Sequence, residues 1–308
     1  GSYSIPSDIN IIEENTFLGI TNLHNLISED SSINQIKRRS LSNNQTIEKV
    51  IIKGSGPIDI ENNCFSKSHL SSIEIEKDEI TIHDCCFERC IFLKNISFTK
   101  SNNISLGSNA FKGCNNLEKV ILTCTNNLNI PNDCFIGVKY IKSLIMNYGS
   151  INSLFPLINN CTFLSYLEIK SESNVTLDNN TLTNCHLLKE VVINSEQSII
   201  LSRNCFQNKK ILQKVKFMGR ILNIQGILFD NCISLKSLII ICSNNIEISN
   251  QNFVYNNNRF SQILNNKLFN GVPNLNIIDI CCGNLTIRDN SFNNCLSLQT
   301  FKISNCKN

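Results

Sequence analysis

The chain has 308 residues, of which 42% are hydrophobic and 17% are charged, and its formal net charge is +3. The charged fraction is low, since roughly 25% is usual for a soluble domain. The near-neutral charge and the lack of a basic stripe argue against nucleic-acid binding, which needs clustered cations to displace counterions from phosphates. No apolar run approaches the roughly 18 residues of a membrane-spanning helix, so we expect no membrane span in this chain.

An internal repeat runs along nearly the whole chain, from about residue 9 to residue 306. If Phe111 is taken as the origin of a coil, equivalent apolar residues recur every 22 to 24 residues, with one 16-residue step from Phe253 to Phe269. A fixed period of this length is typical of a solenoid, in which each coil packs on its neighbours. The origins are Phe17, Leu41, Phe65, Phe87, Phe111, Phe135, Ile158, Leu182, Phe206, Phe229, Phe253, Phe269 and Phe292.

Each coil is predicted to contain two extended segments. Ile104 and Leu106 precede the origin Phe111 and alternate with polar residues, as in a short strand. A short helical turn is expected after the origin. Leu117, Val120 and Leu122 then end in a second alternation, which predicts a half-buried strand. Stacking these second segments predicts a parallel sheet that runs the length of the solenoid.

We therefore predict one domain over residues 1–308, made of 12 to 13 coils. The 16-residue step places an irregular coil near residues 253–269. It is either a truncated coil or a place where residues are missing from the chain.

The coil pattern resembles the BspA-type leucine-rich repeat. That pattern is an aromatic residue, then cysteine, leucine and valine or isoleucine at three-residue steps. The clearest matches are Phe87-Cys90-Leu93-Ile96, Phe111-Cys114-Leu117-Val120 and Phe292-Cys295-Leu298-Phe301. The chain departs from the family in lacking the usual Ile-Pro before the other extended segment, except at Ile130-Pro131.

The resemblance implies a leucine-rich-repeat solenoid with its main parallel sheet on the concave face. It also implies a surface protein that binds host matrix proteins or other cells, since characterised members of the family tend to do so. Such proteins are abundant in anaerobic bacteria and parasitic protists, and the richness in Asn, Ile and Lys is typical of an AT-rich protist genome.

The 16 cysteines fall mostly into two columns of the repeat, one directly before the origin and one three residues after it. We expect these column cysteines to be small buried side chains of the core, as free cysteines commonly are. Stacking also brings column neighbours to about 5 Å, which permits disulfides. Three pairs qualify, Cys90 with Cys114, Cys161 with Cys185, and Cys64 with Cys86, but the repeat explains them as thiols. The other column members are Cys134, Cys205, Cys232 and Cys295.

Six cysteines lie outside the columns and are the better candidates for exposed, reactive thiols. They are Cys85, Cys124, Cys242, Cys281, Cys282 and Cys306.

No pattern of catalytic or metal-binding residues emerges. The segment from His83 to Cys90 is rich in possible zinc ligands, but Cys86 and Cys90 hold inward repeat positions and His83 points outward, so four ligands cannot converge. The four histidines are scattered over different coils, and no Cys–His pair is placed for nucleophilic catalysis. We expect no enzyme activity, metal or cofactor.

The outward residues of the sheet are the candidate binding site. Side chains in a solenoid sheet form a regular array, and several outward positions here are apolar, as at partner sites. Two alternative explanations stay open: β-branched residues favour strands in any case, or neighbouring loops cover these positions. The candidate residues are Ile121, Ile145, Tyr166, Glu168, Val192, Lys216 and Ile239.

The function that we expect is protein–protein recognition by a surface or secreted adhesin, with a host-matrix or cell-surface protein as partner. The alternative is a cytoplasmic scaffold built on the same coils, which would suit many free thiols. An enzyme or metal protein is the third hypothesis.

Overall fold

The computed structural model describes residues 1–30, 32–248, 272–284 and 295–304. Backbone contacts divide the chain into two compact units, Gly1–Thr162 and Phe163–Asn308, which we call unit 1 and unit 2. Both are parallel β-solenoids, with about 11 turns in all among the described residues. The predicted fold class is confirmed, while the predicted single domain stays a prediction. The irregular coil predicted at 253–269 lies outside the described residues.

Unit 1 contains two parallel sheets. The main sheet has the order β1-β3-β5-β7-β9-β11-β13 and the second sheet the order β14-β12-β10-β8-β6-β4-β2, so each coil gives one strand to each. The elements are β1 (Ser2–Ser4), β2 (Ile11–Ile12), β3 (Asn25–Ser28), β4 (Gln35–Ile36), β5 (Lys49–Lys53), β6 (Pro57–Ile60), β7 (Ser72–Glu76), β8 (Glu79–Ile82), β9 (Asn95–Ser101), β10 (Asn103–Leu106), β11 (Lys119–Cys124), β12 (Asn127–Asn129), β13 (Ser143–Tyr148), β14 (Ser150–Ile151) and the helix α1 (Phe155–Ile158).

Unit 2 continues the repeat with β15 (Tyr166–Ser171), β16 (Val175–Leu177), β17 (Glu190–Ser202), β18 (Lys214–Gln225), β19 (Ser237–Ile248), β20 (Ile277–Asn284) and β21 (Thr300–Ser304). Its main sheet has the order β15-β17-β18-β19-β20-β21, and β16 also pairs with β17. Strand β19 pairs directly with β20, and the Asn274 side chain donates to the carbonyl of Ile233, 41 residues earlier, at 2.7 Å. The coil stacking therefore continues across a longer connection.

In β17, β18 and β19 of unit 2 the two extended segments of a coil merge into one strand, where the sequence predicted two separate strands. Strand β17 runs for 13 residues, with a shift in register between Ser195 and Ser198. At this bulge the Ser195 hydroxyl can donate to the carbonyls of Ser173, at 2.8 Å, and Ser198, at 3.3 Å, while accepting from the Gln197 backbone NH at 3.1 Å. A short hydroxyl side chain thus satisfies the backbone groups that the extra residue leaves unpaired.

The core lies between the inward side chains of each coil. Val120 and Leu122 are fully buried, as the alternation of β11 predicts. The origin phenylalanines stack: the ring centroids of Phe87 and Phe111 are 5.0 Å apart with planes 2° from parallel, and those of Phe111 and Phe135 are 4.9 Å apart. Such stacking adds about 0.5–1.5 kcal/mol per pair beyond the burial of apolar area.

Apart from Ile158, which ends α1, the described origins do not lie in the short helical turns that the spacing predicted. Asn109 and Gly113 flank Phe111 with φ angles of 54° and 75°, in the left-handed region that a right-handed helix excludes. The turn NH groups donate instead to the next coil, from Phe111 to the carbonyl of Cys134 at 2.9 Å and from Gly113 to that of Ile136 at 3.2 Å. Left-handed pairs also flank Phe65 and Phe87, at Asn63, Lys67, Cys85 and Arg89.

Helix is correspondingly scarce. Among the described residues only Phe155–Ile158 is helical. No helix in the described part of the chain has the length and hydropathy needed to cross a membrane.

Candidate functional site

The candidate residues lie on the side of the main sheets that points away from the core, which we call the outer face. In unit 1 its central column is Ile27, Ile51, Glu74, Ser97, Ile121 and Ile145. Each member lies directly opposite the next in the sheet register, as the repeat spacing predicts. Neighbouring strands in a sheet are about 4.8 Å apart, so the column is a continuous row of side chains.

Ile121 and Ile145 form the apolar end of this column. They pair in register between β11 and β13, and both are half-buried. Their neighbours in the same two strands are polar: Lys119 lies opposite Ser143, and Thr123 opposite Asn147. The structure thus leaves an apolar pair within a polar border on the outer face.

Ion pairs lie on the outer face in the middle of unit 1, between the apolar residues Ile27 and Ile51 at one end of the column and Ile121 and Ile145 at the other. Lys53 Nζ lies 3.0 Å from Glu74 Oε1 and 3.7 Å from Glu76 Oε1, and Lys100 Nζ lies 2.5 Å from Glu76 Oε2. The hydrogen bond from Lys100 lowers the pKa of Glu76. Because such surface pairs contribute about 0–1 kcal/mol each, their main effect is to neutralise charge along the column.

The unit 2 candidates also form one row. Glu168 lies opposite Val192, Val192 opposite Lys216, and Lys216 opposite Ile239. All four are half-buried.

Tyr166 lies beside this row, and its hydroxyl donates to Glu168 Oε2 at 2.6 Å. Burial and this hydrogen bond raise the pKa of Tyr166 to about 12. The structure therefore brings together the five candidates of unit 2, and separately the pair Ile121 and Ile145.

Sequence reasoning missed a second set of exposed apolar side chains, four or five residues after the origins. The ring of Phe92 is exposed and contacts that of His69, with centroids 4.5 Å apart. Apolar residues at this turn position were the available signal. The exposed members are Ile91, Phe92, Tyr140, Phe163, Leu187 and Ile233.

The column cysteines are free thiols. They are buried as predicted, apart from Cys295, which is half-buried. The structure adds a role that the sequence did not indicate. Cys90 Sγ donates to the carbonyl of Phe65 at 3.0 Å, and Cys114 Sγ to that of Phe87 at 3.1 Å. Cys232 makes the same contact with Phe206 at 3.0 Å, so these thiols link each coil to the preceding one.

The prediction of exposed thiols outside the columns is wrong for three cysteines. Cys124, Cys242 and Cys282 are buried, because each ends a main-sheet segment and packs in register against the neighbouring coil. Cys85 is half-buried, and Cys281 is disulfide-bonded. Cys306 lies outside the described residues.

The residues around His83 do not converge on a metal. His83 Nε2 lies 2.6 Å from Asp59 Oδ1, while Cys86 and Cys90 are buried in the core. Within the part of the chain that the structure describes, no three His, Cys, Asp or Glu side chains are grouped to hold a metal ion.

Three of the column thiols, Cys90, Cys185 and Cys232, lack the activation that a nucleophile needs. Burial raises the pKa of Cys90 to about 11 and those of Cys185 and Cys232 to about 12. A thiol with a raised pKa is a poor nucleophile, because the thiolate is the reactive form.

Comparison with solved structures finds several leucine-rich repeat proteins. One from Eubacterium ventriosum is 18% identical, with 76% of this chain and 77% of that chain covered and a TM-score of 0.33. A leucine-rich cell surface protein from Faecalibacterium prausnitzii is 16% identical, with 82% and 89% covered and a TM-score of 0.26. The pneumococcal vaccine antigen PcpA is 15% identical, with 99% and 89% covered and a TM-score of 0.29.

Comparison with curated protein sequences finds no match. The family model of the BspA type leucine rich repeat region, by contrast, matches six copies over residues 1–76, 58–156, 157–259 and 258–308. These matches cover the whole chain, and they agree with the coil pattern and the solenoid. The chain belongs to the BspA-type leucine-rich repeat family.

Proposed function

We propose that this protein is a non-catalytic recognition module, displayed at a cell surface as an adhesin, which binds a protein partner through the outer face of its main sheets. The observation that carries the proposal is the apolar pair Ile121 and Ile145, which lies in register and half-buried within a polar border. An apolar centre inside a polar rim is the usual anatomy of a protein interface. Membership of the BspA-type family supports the surface location.

The rival hypothesis of a cytoplasmic scaffold keeps the same binding face and differs in location. The free, buried thiols of the columns are compatible with it. The partner proposed for the adhesin is a host-matrix or cell-surface protein.

The test replaces both isoleucines with aspartate, in the double variant Ile121→Asp/Ile145→Asp, and measures binding of the labelled protein to host cells by flow cytometry. Burying two new carboxylates against an apolar partner is costly, so we expect binding to fall at least about tenfold, equivalent to 1.4 kcal/mol. A second variant, Ile121→Thr/Ile145→Thr, keeps β-branched side chains and should lose binding to a smaller extent.

The matched control is Ile91→Asp/Ile136→Asp, which makes the same charge change in unit 1 at two isoleucines that are 48% and 45% exposed, on the turns. The control should bind as the wild type does, and circular dichroism should show all variants folded. Unchanged binding by folded Ile121→Asp/Ile145→Asp would contradict the proposal.

A further inference from the structure

Four lysines lie on adjacent coils at the main sheet of unit 2, and we call them the lysine cluster: Lys189, Lys214, Lys216 and Lys236. Lys214 and Lys216 are two residues apart on β18 and therefore point to the same side of the sheet, about 7 Å apart. Lys189 and Lys236 directly precede β17 and β19, the two strands that flank β18.

Backbone hydrogen bonds hold Lys189 and Lys236 close to the strand that carries Lys214 and Lys216. The NH of Lys214 donates to the carbonyl of Lys189 at 3.1 Å. Gln213 donates to the same carbonyl at 2.8 Å, and its own carbonyl accepts from Lys236 at 2.9 Å. Lys189 and Lys236 are thus two strand spacings apart, about 10 Å, on either side of Gln213.

The sheet register places one carboxylate, Glu190, directly opposite a lysine of the cluster, and a second, Asp279, in the row of Lys216 beyond Ile239. Lys216 lies between Val192 and Ile239, and Lys214 lies between Glu190 and Ser237. None of the four lysines forms an ion pair with any residue that the structure describes. Unit 1 has lysines of both kinds: Lys53, Lys100 and Lys142 are each paired with glutamate, whereas Lys49, Lys94 and Lys119 form no ion pair with a described residue.

Apolar side chains are interleaved with these cations. Val192 and Ile239 flank Lys216 in the same row. Ile241, further along β19, is 38% exposed, and Ile277, in register with Ser237, is 40% exposed. Large exposed isoleucines within a cationic patch are unfavourable for a surface that contacts only water or a hydrophilic polyanion, and they fit a partner with apolar groups of its own.

We propose that the lysine cluster, with its apolar neighbours, is a docking surface for an acidic polypeptide segment that also carries apolar residues. This inference rests on the proposed function and specifies the chemistry of the partner. An extended chain repeats its side chains every two residues at about 7 Å, which matches the separation of Lys214 and Lys216. Carboxylates two residues apart on one face of such a segment can therefore meet both lysines at once, while apolar side chains further along the same face contact the isoleucines.

The test measures fluorescence anisotropy of a fluorescein-labelled peptide of repeated Glu-Ser-Glu-Ser-Leu-Ser, which presents Glu, Glu and Leu on one face when extended, and of the same peptide with glutamine in place of glutamate. The wild-type protein should bind the glutamate peptide, more weakly as NaCl increases, and should bind the glutamine peptide at least about tenfold more weakly. The variant Lys189→Gln/Lys214→Gln/Lys216→Gln/Lys236→Gln should lose at least about tenfold in affinity for the glutamate peptide.

The charge-matched control is Lys49→Gln/Lys94→Gln/Lys119→Gln/Lys139→Gln, which removes four exposed lysines from unit 1 and should bind the peptide within about twofold of wild type, as expected for distant surface sites. Equal losses in both quadruple variants, or equal binding of the two peptides, would overturn the proposal. Heparin oligosaccharide that binds through the same four lysines more tightly than the peptide would also overturn it, because the site would then prefer a sulfated glycan.

The two proposals fail separately. If the Ile121→Asp/Ile145→Asp variant still binds the glutamate peptide and the quadruple lysine variant does not, the acidic-segment proposal is supported. This holds even if the isoleucine variant also still binds host cells. Loss of cell binding in the isoleucine variant, together with equal binding of both peptides by the wild type, supports the proposed function alone.

Discussion

The cysteine three residues after a coil origin shows how a single position serves the repeat. Its small side chain is fully buried at Cys114, and the Cys114 thiol donates to the carbonyl of the preceding origin, Phe87. Alanine would leave that carbonyl without its side-chain partner. The repeat position of Cys114 predicted its burial. It did not predict the hydrogen bond, because a thiol is a weak donor and its hydrogen bonds leave no recognisable pattern in a sequence.

This contact predicts the effect of Cys114→Ala. The substitution removes the hydrogen bond to Phe87 and leaves a small void in a fully buried site, so the free energy of unfolding should fall by about 1–2 kcal/mol. Urea unfolding followed by circular dichroism measures it. Cys85→Ala, at a half-buried turn position, is the control and should change stability by less than about 0.5 kcal/mol. Equal effects of the two substitutions would contradict the assigned role.

Other residue-scale features were hidden from the sequence for a physical reason. Lys67, Cys85 and Arg89 adopt φ angles of 58°, 55° and 58°, although only glycine and, less readily, asparagine favour that region. The intercoil hydrogen bonds of the turns hold these residues there, as from Arg89 NH to the carbonyl of Lys112 at 2.7 Å. Local propensity therefore predicted a helical turn, and the stacking of coils overrode it.

At the scale of the strand, the sequence predicted register well. The period placed Ile121 opposite Ile145 and Lys216 opposite Ile239, and both pairings are confirmed. This success has a simple cause: a shift by one residue would move the buried Val120 and Leu122 to the outer face. The merging of strands in β17 was not predictable, because it depends on a bulge at Ser195 that leaves the apolar alternation on both sides unchanged.

The cysteine columns as a group predict how stability depends on pH. Burial raises the pKa of Cys90 to about 11 and those of Cys185 and Cys232 to about 12, from an ordinary value of 9.0. Above pH 9 the unfolded chain loses thiol protons that the folded chain retains. The stabilisation is therefore complete below about pH 9 and is lost as the pH rises towards 11 or 12, at about 1.4 kcal/mol per pH unit for each such thiol.

Urea unfolding between pH 8 and pH 10.5, with a reducing agent present, measures this loss. Cys185→Ala/Cys232→Ala should reduce the slope against pH by the contribution of two thiols, whatever its effect on stability at pH 8. Burial lowers the pKa of Lys77 and of Lys209. These two lysines therefore act in the opposite sense and only partly offset the effect of the thiols. A free energy of unfolding that stays constant to pH 10.5, or a slope that the double variant leaves unchanged, would contradict the account.

At the scale of the whole molecule, the fold was predictable because a dozen coils repeat one pattern. A coil whose own sequence is ambiguous can therefore be assigned from the pattern of the other coils. The binding site is not repeated and lacks this redundancy. The outward positions of Ile121 and Lys216 followed from the period, but the ion pairs of Lys53 and the unpaired state of the lysine cluster depend on which side chains become neighbours across coils. The exposed Phe92 lies on a turn, where the period assigns no direction.

The central claim is that the protein acts at a cell surface as a recognition module. Surface biotinylation of intact native cells, followed by mass spectrometry of the captured peptides, tests this most directly. Exposed lysines are the groups that react, and Lys189, Lys214 and Lys236 of the lysine cluster are exposed. We predict that peptides carrying biotin on these lysines appear from intact cells in which cytosolic control proteins stay unlabelled. Labelling that appears only after the cells are lysed would contradict the adhesin proposal and favour the cytoplasmic scaffold.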